Sequence, residues 1–213
     1  MPTEIEAKFR ADGPDSLERL AAVPRLGDAA LGPPRTVAEV DRYLDTADLR
    51  LASAHWACRL RSRDGGVRIS LKGPAEADAP ADGLHRRPEI EGPATDSIDP
   101  SSWPASPARA HLEALCGGAT LRERFRLEQQ RTERSVHTPD GAEVGILTLD
   151  VVDIANVMRG PSVARLHVVE LELAADGDEG ALLGIAAALE GMEGLVPEPR
   201  TKLEHALELL GLA

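Results

Sequence analysis

The 213-residue chain is 42% hydrophobic and carries a formal net charge of −12, from 36 acidic and 24 basic side chains. That apolar content suffices for a packed core, which argues against disorder, and the acidic balance argues against general nucleic-acid binding and anionic membrane surfaces. With only two Phe, two Trp and one Tyr, the core must be largely aliphatic.

A first strand is expected over 3–10, where Glu4, Glu6 and Lys8 alternate with Ile5, Ala7 and Phe9. Side chains two apart share a face of a strand, so the three charges point one way and the apolar residues the other. DGPDSLERLAAV (12–23) reads as a short helix with Asp15 or Ser16 as N-cap. TVAEVDRYLDT (36–46) alternates like a strand, with Tyr43 near its turn-like end. HWACRLRSRDGGVRISLKG (55–73) reads as a hairpin turning at Asp64-Gly65-Gly66.

Residues 74–107 hold seven prolines and read as an insert, a lid or an ornament, within one domain spanning 1–213. Inside it, LHRRPEIEG (84–92) is expected as an edge strand, because Pro88 cannot donate to a ladder. ASPARAHLEALCGG (105–118) reads as a helix ended by glycine. LRERFRLEQQRTERSV (121–136) and EVGILTLDVVDI (143–154) form a second hairpin around Pro139-Asp140-Gly141. A strand over 164–174 and amphipathic helices over 179–192 and 201–212 complete the chain. The sum is an α+β fold of about eight mostly antiparallel strands, and closure into a barrel would satisfy the edges of such a sheet.

No apolar run approaches the roughly 20 residues of a membrane span. The charged amino terminus lacks a signal-peptide core, so a cytoplasmic protein is expected. Cys58 and Cys116 support neither a disulfide framework nor a four-cysteine zinc site. The six histidines are scattered, and neither a P-loop nor a nucleophile elbow occurs.

The period-two rule groups further charges: Arg59, Arg61 and Arg63; Arg68, Ser70 and Lys72; Arg87, Glu89 and Glu91; Arg122, Arg124 and Arg126; Glu170 and Glu172. A sheet with one wet face gives such alternation on any single strand. Taken together the strands say more, because acids concentrate on some and bases on others. Paired carboxylates suit a hard divalent cation, and rows of Arg and Lys suit the many oxygens of a phosphate chain. Only Lys8, Lys72 and Lys202 among the 24 basic residues are lysines, and each lies within one of these charged stretches or in the last helix.

Here the sequence resembles the CYTH, or triphosphate tunnel metalloenzyme, family. EIEAK (4–8) is similar to its opening signature, YLDTADLRL (43–51) to its Tyr-x-Asp-Thr segment and CRLRSR (58–63) to its Leu-Arg-x-Arg strand. ISLKGP, RPEIE, QQRTER, LTLD, VELEL and RTKLEHALELLG follow in family order, with Thr201 where Ser is usual before the final Lys. The resemblance implies an eight-stranded antiparallel tunnel in α+β setting that needs Mg²⁺ or Mn²⁺. It implies that Lys8, Arg59, Arg61, Lys72, Arg126, Arg131 and Lys202 hold phosphates. It further implies that Glu4, Glu6, Glu170 and Glu172 hold metal, with Asp150 and Glu89 or Glu91 assisting.

The expected partner is a small molecule bearing a triphosphate, with no nucleic acid or membrane, and a homodimer is admissible. Few aromatics are available to grip a ring, since Phe9 and Phe125 alternate away from the charges and Trp56 reads as packing. Free tripolyphosphate, hydrolysed to pyrophosphate and phosphate at alkaline pH, is therefore the expected substrate. Thiamine or nucleoside triphosphate hydrolysis, a class IV adenylyl cyclase and a non-catalytic polyphosphate-binding module are the rivals.

Overall fold

The computed structural model describes residues 2–75, 83–155 and 162–212. Eight long strands form a ring: β1 (Thr3–Ala11), β4 (Arg35–Thr46), β5 (Ala57–Arg63), β6 (Gly66–Lys72), β7 (His85–Pro93), β8 (Leu121–His137), β9 (Glu143–Ala155) and β10 (Ala164–Leu173). Their order is β8-β4-β5-β6-β7-β1-β10-β9, and a β8–β9 ladder closes the barrel. Every pairing is antiparallel. Three short strands are appended outside the ring. β2 (Arg25–Leu26) pairs with β3 (Ala29–Leu31), which flanks β8, while β11 (Leu195–Pro197) lies beside β1.

The β5–β6 turn places Asp64 at φ 51° and Gly65 at φ 75°. A two-residue hairpin that follows the right-handed strand twist requires positive φ at both positions. Among the described residues five α-helices flank the barrel: α1 (Pro14–Ala22), α2 (Arg50–Ser53), α3 (Pro107–Cys116), α4 (Glu179–Glu190) and α5 (Lys202–Leu210). α3 starts under a Ser106 cap and, as the sequence predicts, ends at a glycine, the left-handed Gly117.

Alternation sends the apolar residues outward. Ala7, Phe9, Leu147, Leu149, Val169 and Leu171 meet Leu17 and Leu20 of α1 and Leu182, Ile185 and Leu189 of α4. On the other flank Leu60, Ile69 and Leu71 pack beneath Ala108 and Leu112 of α3. Each fully buried leucine contributes about 2 kcal/mol relative to exposure, so cohesion comes from the outer wall. The inner wall is thereby left to charge.

α5 sits differently. Leu203, Ala206 and Leu207 pack with Phe125, Leu127, Val152, Ile154 and Val168. Val152 and Ile154 share a strand face with Asp150, and Val168 shares one with Glu170, so α5 covers one end of the barrel interior.

Two local expectations are corrected. β7 is no edge strand: Pro88 lies between two neighbours, because His85–Pro88 pairs with β1 while Glu89–Pro93 pairs with β6. The missing donor falls where one partner gives way to the next, which makes it tolerable. α1 begins at Pro14 after Gly13, without a side-chain cap; Asp15 stands in the first turn, where negative charge favours the helix dipole. Ser16 is buried and donates to Asp12 at 2.5 Å instead. Short β2, β3, β11 and α2 carry too little periodicity to be read from sequence. Residues 76–82 of the Pro-rich insert lie outside the described residues; the remainder of 74–107 supplies β7 and the start of α3. Among the described residues no helix is long and apolar enough to cross a membrane.

Candidate active site in the barrel interior

β1 turns Glu4, Glu6 and Lys8 inward, at 9%, 3% and 4% exposure. From β7, Arg87 donates through Nε to Glu4 Oε2 at 2.8 Å and through Nη2 to Glu6 Oε1 at 3.0 Å. Lys72 of β6 donates to Glu4 as well. Burial opposes ionisation of Glu4, but Lys72 and Arg87 outweigh it and its pKa falls to about 2. Glu6 behaves oppositely, because burial and then the repulsion of Glu170 and Glu4 push its carboxyl up. The Glu172 carboxylate makes no hydrogen bond or ion pair among the described residues. Water still reaches its side chain, yet the surrounding walls, and then Glu4, raise its pKa to about 7.

Across the barrel, Arg131 of β8 makes a two-point pair with Asp150 at 2.9 and 2.8 Å and reaches Glu170 at 3.2 Å. Lys202, the first residue of α5, stands 2.6 Å from both Asp150 Oδ2 and Glu170 Oε2. Arg61 of β5 pairs with Asp41 at 2.7 and 2.8 Å, and Gln129 donates to the same carboxylate at 2.8 Å. Glu39 lies between Arg61 at 3.2 Å and Arg63 at 3.0 Å.

Two buried cations are left poorly paired. The Lys8 ammonium makes no hydrogen bond among the described residues, and its nearest carboxylate, Glu6, is 3.6 Å away. Arg59 stands 3.5 Å from Asp41 and 3.8 Å from Glu89, and its Nε has no partner among the described residues. Unfilled donors on buried cations are the kind that an oxyanion completes.

Of the residues expected from sequence, Glu4, Glu6, Lys8, Arg59, Arg61, Lys72, Glu89, Arg131, Asp150, Glu170, Glu172 and Lys202 share this interior. Two do not join it. Arg126 is on the outer face, 2.7 Å from Glu123, since the inward positions of β8 are the odd ones that include Gln129, Arg131 and Glu133. Glu91 lies at the barrel rim, about half exposed and 3.3 Å from Arg68. Phe125 shares the inward parity and stacks on Tyr43 with ring centroids 4.7 Å apart, against the expectation that it points away. Arg87, Glu39 and Asp41 were not among the expected site residues, although Arg87 alternates with Glu89 and Glu39-x-Asp41-x-Tyr43 shows the same period.

A cavity of about 40 Å³ lies among Lys8, Arg59, Lys72, Arg87, Glu170 and Lys202. It shares Lys8, Tyr43, Lys72 and Arg87 with a wider chamber of about 380 Å³, whose other walls include Trp56, Phe125, His85 and Leu207 of α5. Trp56, expected as packing, is half-buried, borders this chamber and meets His111 edge-on at 4.5 Å.

Among the described residues no three Asp, Glu, His or Cys side chains are gathered at ligating distance for a metal. The donor set nonetheless fits a hard divalent cation. Glu6 and Glu172 are pushed up by burial and then by neighbouring carboxylates, a repulsion that a cation between them would relieve.

A family model for the CYTH domain matches residues 2–206. No curated protein sequence matches the chain. Among solved structures, the Hippeastrum protein HpAC1, named as an adenylyl cyclase and described with a dominant triphosphatase activity, is 20% identical at a TM-score of 0.68, covering 96% of this chain and 95% of that one. An adenylate-cyclase-like protein from Bacillus halodurans is also 20% identical, at 0.61, covering 96% and 98%. A third, from Vibrio parahaemolyticus, is 15% identical at 0.52, covering 98% and 97%. These likenesses establish the fold, and with the family match over nearly the whole length, the chain belongs to the CYTH domain family.

Proposed function

We propose that the barrel interior hydrolyses the phosphoanhydride bond of a triphosphate, with free tripolyphosphate as the first substrate to test. The observation that carries this reading is the pair of buried, incompletely satisfied cations, Lys8 and Arg59, facing a cavity rimmed by Lys72, Arg87 and Lys202. Phosphoryl transfer asks the protein for little covalent chemistry. Positioning and neutralising the phosphate oxygens dominate.

A cavity of about 40 Å³ holds little more than a water molecule, so a triphosphate enters only by replacing ion pairs. Lys72 and Arg87 turn from Glu4 toward phosphate oxygens, and Lys202 turns from Glu170. The carboxylates they leave, Glu4, Glu6 and Glu170 together with Glu172, are then free to hold Mg²⁺ or Mn²⁺. CYTH triphosphate tunnel enzymes are generally metal-dependent. When bound, the cation would supply charge neutralisation and a more acidic water. Arg61 and Arg131 keep their two-point carboxylate pairs and stiffen the walls. An alkaline optimum fits the need to ionise Glu172.

A second reading, hydrolysis of an organic triphosphate, is favoured by the 380 Å³ chamber that adjoins the cations and is bordered by Trp56, Tyr43 and Phe125. Such rings bind flat apolar groups well. Phosphate release from tripolyphosphate, thiamine triphosphate and ATP, with Mg²⁺, Mn²⁺ or chelator, decides between the two. Faster cleavage of either organic substrate overturns tripolyphosphate as the choice. Cyclic AMP with pyrophosphate as products from ATP would make the protein a cyclase. Binding without turnover would make it a polyphosphate-binding module.

A further inference from the structure

We propose that Glu198, outside the tunnel, is a positioning residue that fixes Lys202 relative to Lys8 and so how firmly the tunnel grips a phosphate chain. The proposal deepens the triphosphatase reading and rests on it. Glu198 follows β11, whose Pro197 pairs with Phe9 of β1, and its own amide donates to the Lys8 carbonyl at 2.9 Å. Its backbone is thus fastened beside one phosphate-binding lysine.

Its carboxylate reaches the other lysine through α5. The side chain is 8% exposed and accepts from the Arg200 amide at 3.1 Å and from Arg200 Nε at 3.3 Å. The second oxygen lies 3.0 Å from His205 Nε2, on a side chain that is 10% exposed, and 3.6 Å from Arg10. Lys202 opens the helix that carries His205, directly after the Thr201–Glu204 capping box. Apolar packing of Leu203, Ala206 and Leu207 holds α5 against the barrel but is not directional. The carboxylate–imidazole contact is directional, and it fixes the helix where the Lys202 ammonium meets Asp150 and Glu170. A flexible lysine gains precision only from a fixed backbone.

The test combines Glu198→Ala, Glu198→Gln, Lys202→Met and the Glu198→Ala/Lys202→Met double variant, assayed on tripolyphosphate with Mn²⁺. For Glu198→Ala the expected result is a KM raised about tenfold with kcat within about twofold, the split that marks lost ground-state positioning. Glu198→Gln, which still accepts the Arg200 bonds, should recover most of the loss. The double variant should be little worse than Lys202→Met alone, because Glu198 acts through the Lys202 ammonium. Additive effects, or an unchanged KM with only a lower melting temperature, overturn the proposal. Where Glu198→Ala does not fold, His205→Asn replaces it with the same readouts. Hydrogen exchange without substrate gives a readout independent of activity: amides over 203–210 should exchange faster in the variant while barrel strands do not. Unchanged protection of α5 refutes the positioning role, whereas a wild-type chain inert toward every triphosphate refutes only the triphosphatase reading.

Discussion

Lys8 Nζ stands 3.6 Å from Glu6 Oε1 inside the barrel, both side chains nearly sealed from solvent and no hydrogen bond between them. Such a contact adds little to folding and leaves an ammonium poised for another partner. Burial strips this ammonium of water for little in return, so Lys8→Met should not destabilise the fold while lowering turnover at least about 100-fold. Asp41→Asn makes the contrast. It strips Arg61 of its two-point partner, and breaking a buried pair costs about 3–5 kcal/mol. Urea melts and phosphate-release assays on the two variants would separate binding cations from wall cations.

Glu172 and Glu4 impose opposite pH dependences on the metal-free protein. Unfolded Glu172 loses its proton near 4.5, whereas the folded chain keeps it up to about 7. The unfolded state thus binds fewer protons across that window, and this group's ionisation progressively weakens folding until the loss is complete above about pH 7. Glu172→Gln should stabilise the chelated protein at pH 8 and leave it unchanged at pH 4. For Glu4, depressed to about 2, the stabilising contribution is fully present above its unfolded value of 4.5 and disappears as pH falls toward 2. Glu4→Gln should therefore cost stability at neutral pH and cost nothing near pH 2. Denaturation midpoints at those pH values provide the check.

Chelation should abolish turnover and leave the fold intact, because the packing that holds the barrel lies on its outer wall, away from the carboxylates. Circular dichroism with and without chelator should superimpose. Glu4→Gln should need a several-fold higher Mn²⁺ concentration for half-maximal activity, and an unchanged metal requirement would remove Glu4 from the metal site.

Trp56→Ala tests the adjoining chamber. On the organic-substrate reading it should raise KM for thiamine triphosphate or ATP by about tenfold, since stacking on a ring contributes about 1–3 kcal/mol, and should leave tripolyphosphate kinetics within about twofold. Equal losses on all substrates would assign Trp56 to packing against His111.

Arg87 and Arg126 make a further pair of opposites. Arg87→Ala should cost at least about tenfold in kcat/KM, because it joins Glu4 and Glu6 in the interior. Arg126→Ala should leave kinetics close to the parent's, because that guanidinium faces outward toward Glu123.

How far the sequence revealed the site follows from strand regularity. On β1, β5, β6 and β10 the alternation is unbroken, so Glu4, Arg61, Lys72 and Glu170 face as period two requires. On β8 the rule misleads, because Arg122, Arg124 and Arg126 form the more conspicuous basic row while Gln129, Arg131 and Glu133 form the inner one. The register shift opposite Tyr43 and Leu44 cannot be read from composition. Asp41 was passed over because its strand mixes charge on both faces, with Arg42 outside and Glu39 inside. The chamber was invisible for a different reason: Trp56 sits before β5 begins, where alternation has no meaning, and α5 brings Leu207 across more than 150 residues of chain to complete it.

The placement of β1 between β7 and β10 bears on how the chain reaches its native state. β10 is the last strand of the ring in chain order, so β1 waits across most of the ring's sequence before both its edges are paired. Until then Glu4, Glu6 and Lys8 remain hydrated, and their desolvation is deferred to the final closing step. Contacts of such long sequence separation slow folding. Refolding from urea should accordingly show β1 amides among the last to gain exchange protection, well after the local β5–β6 hairpin.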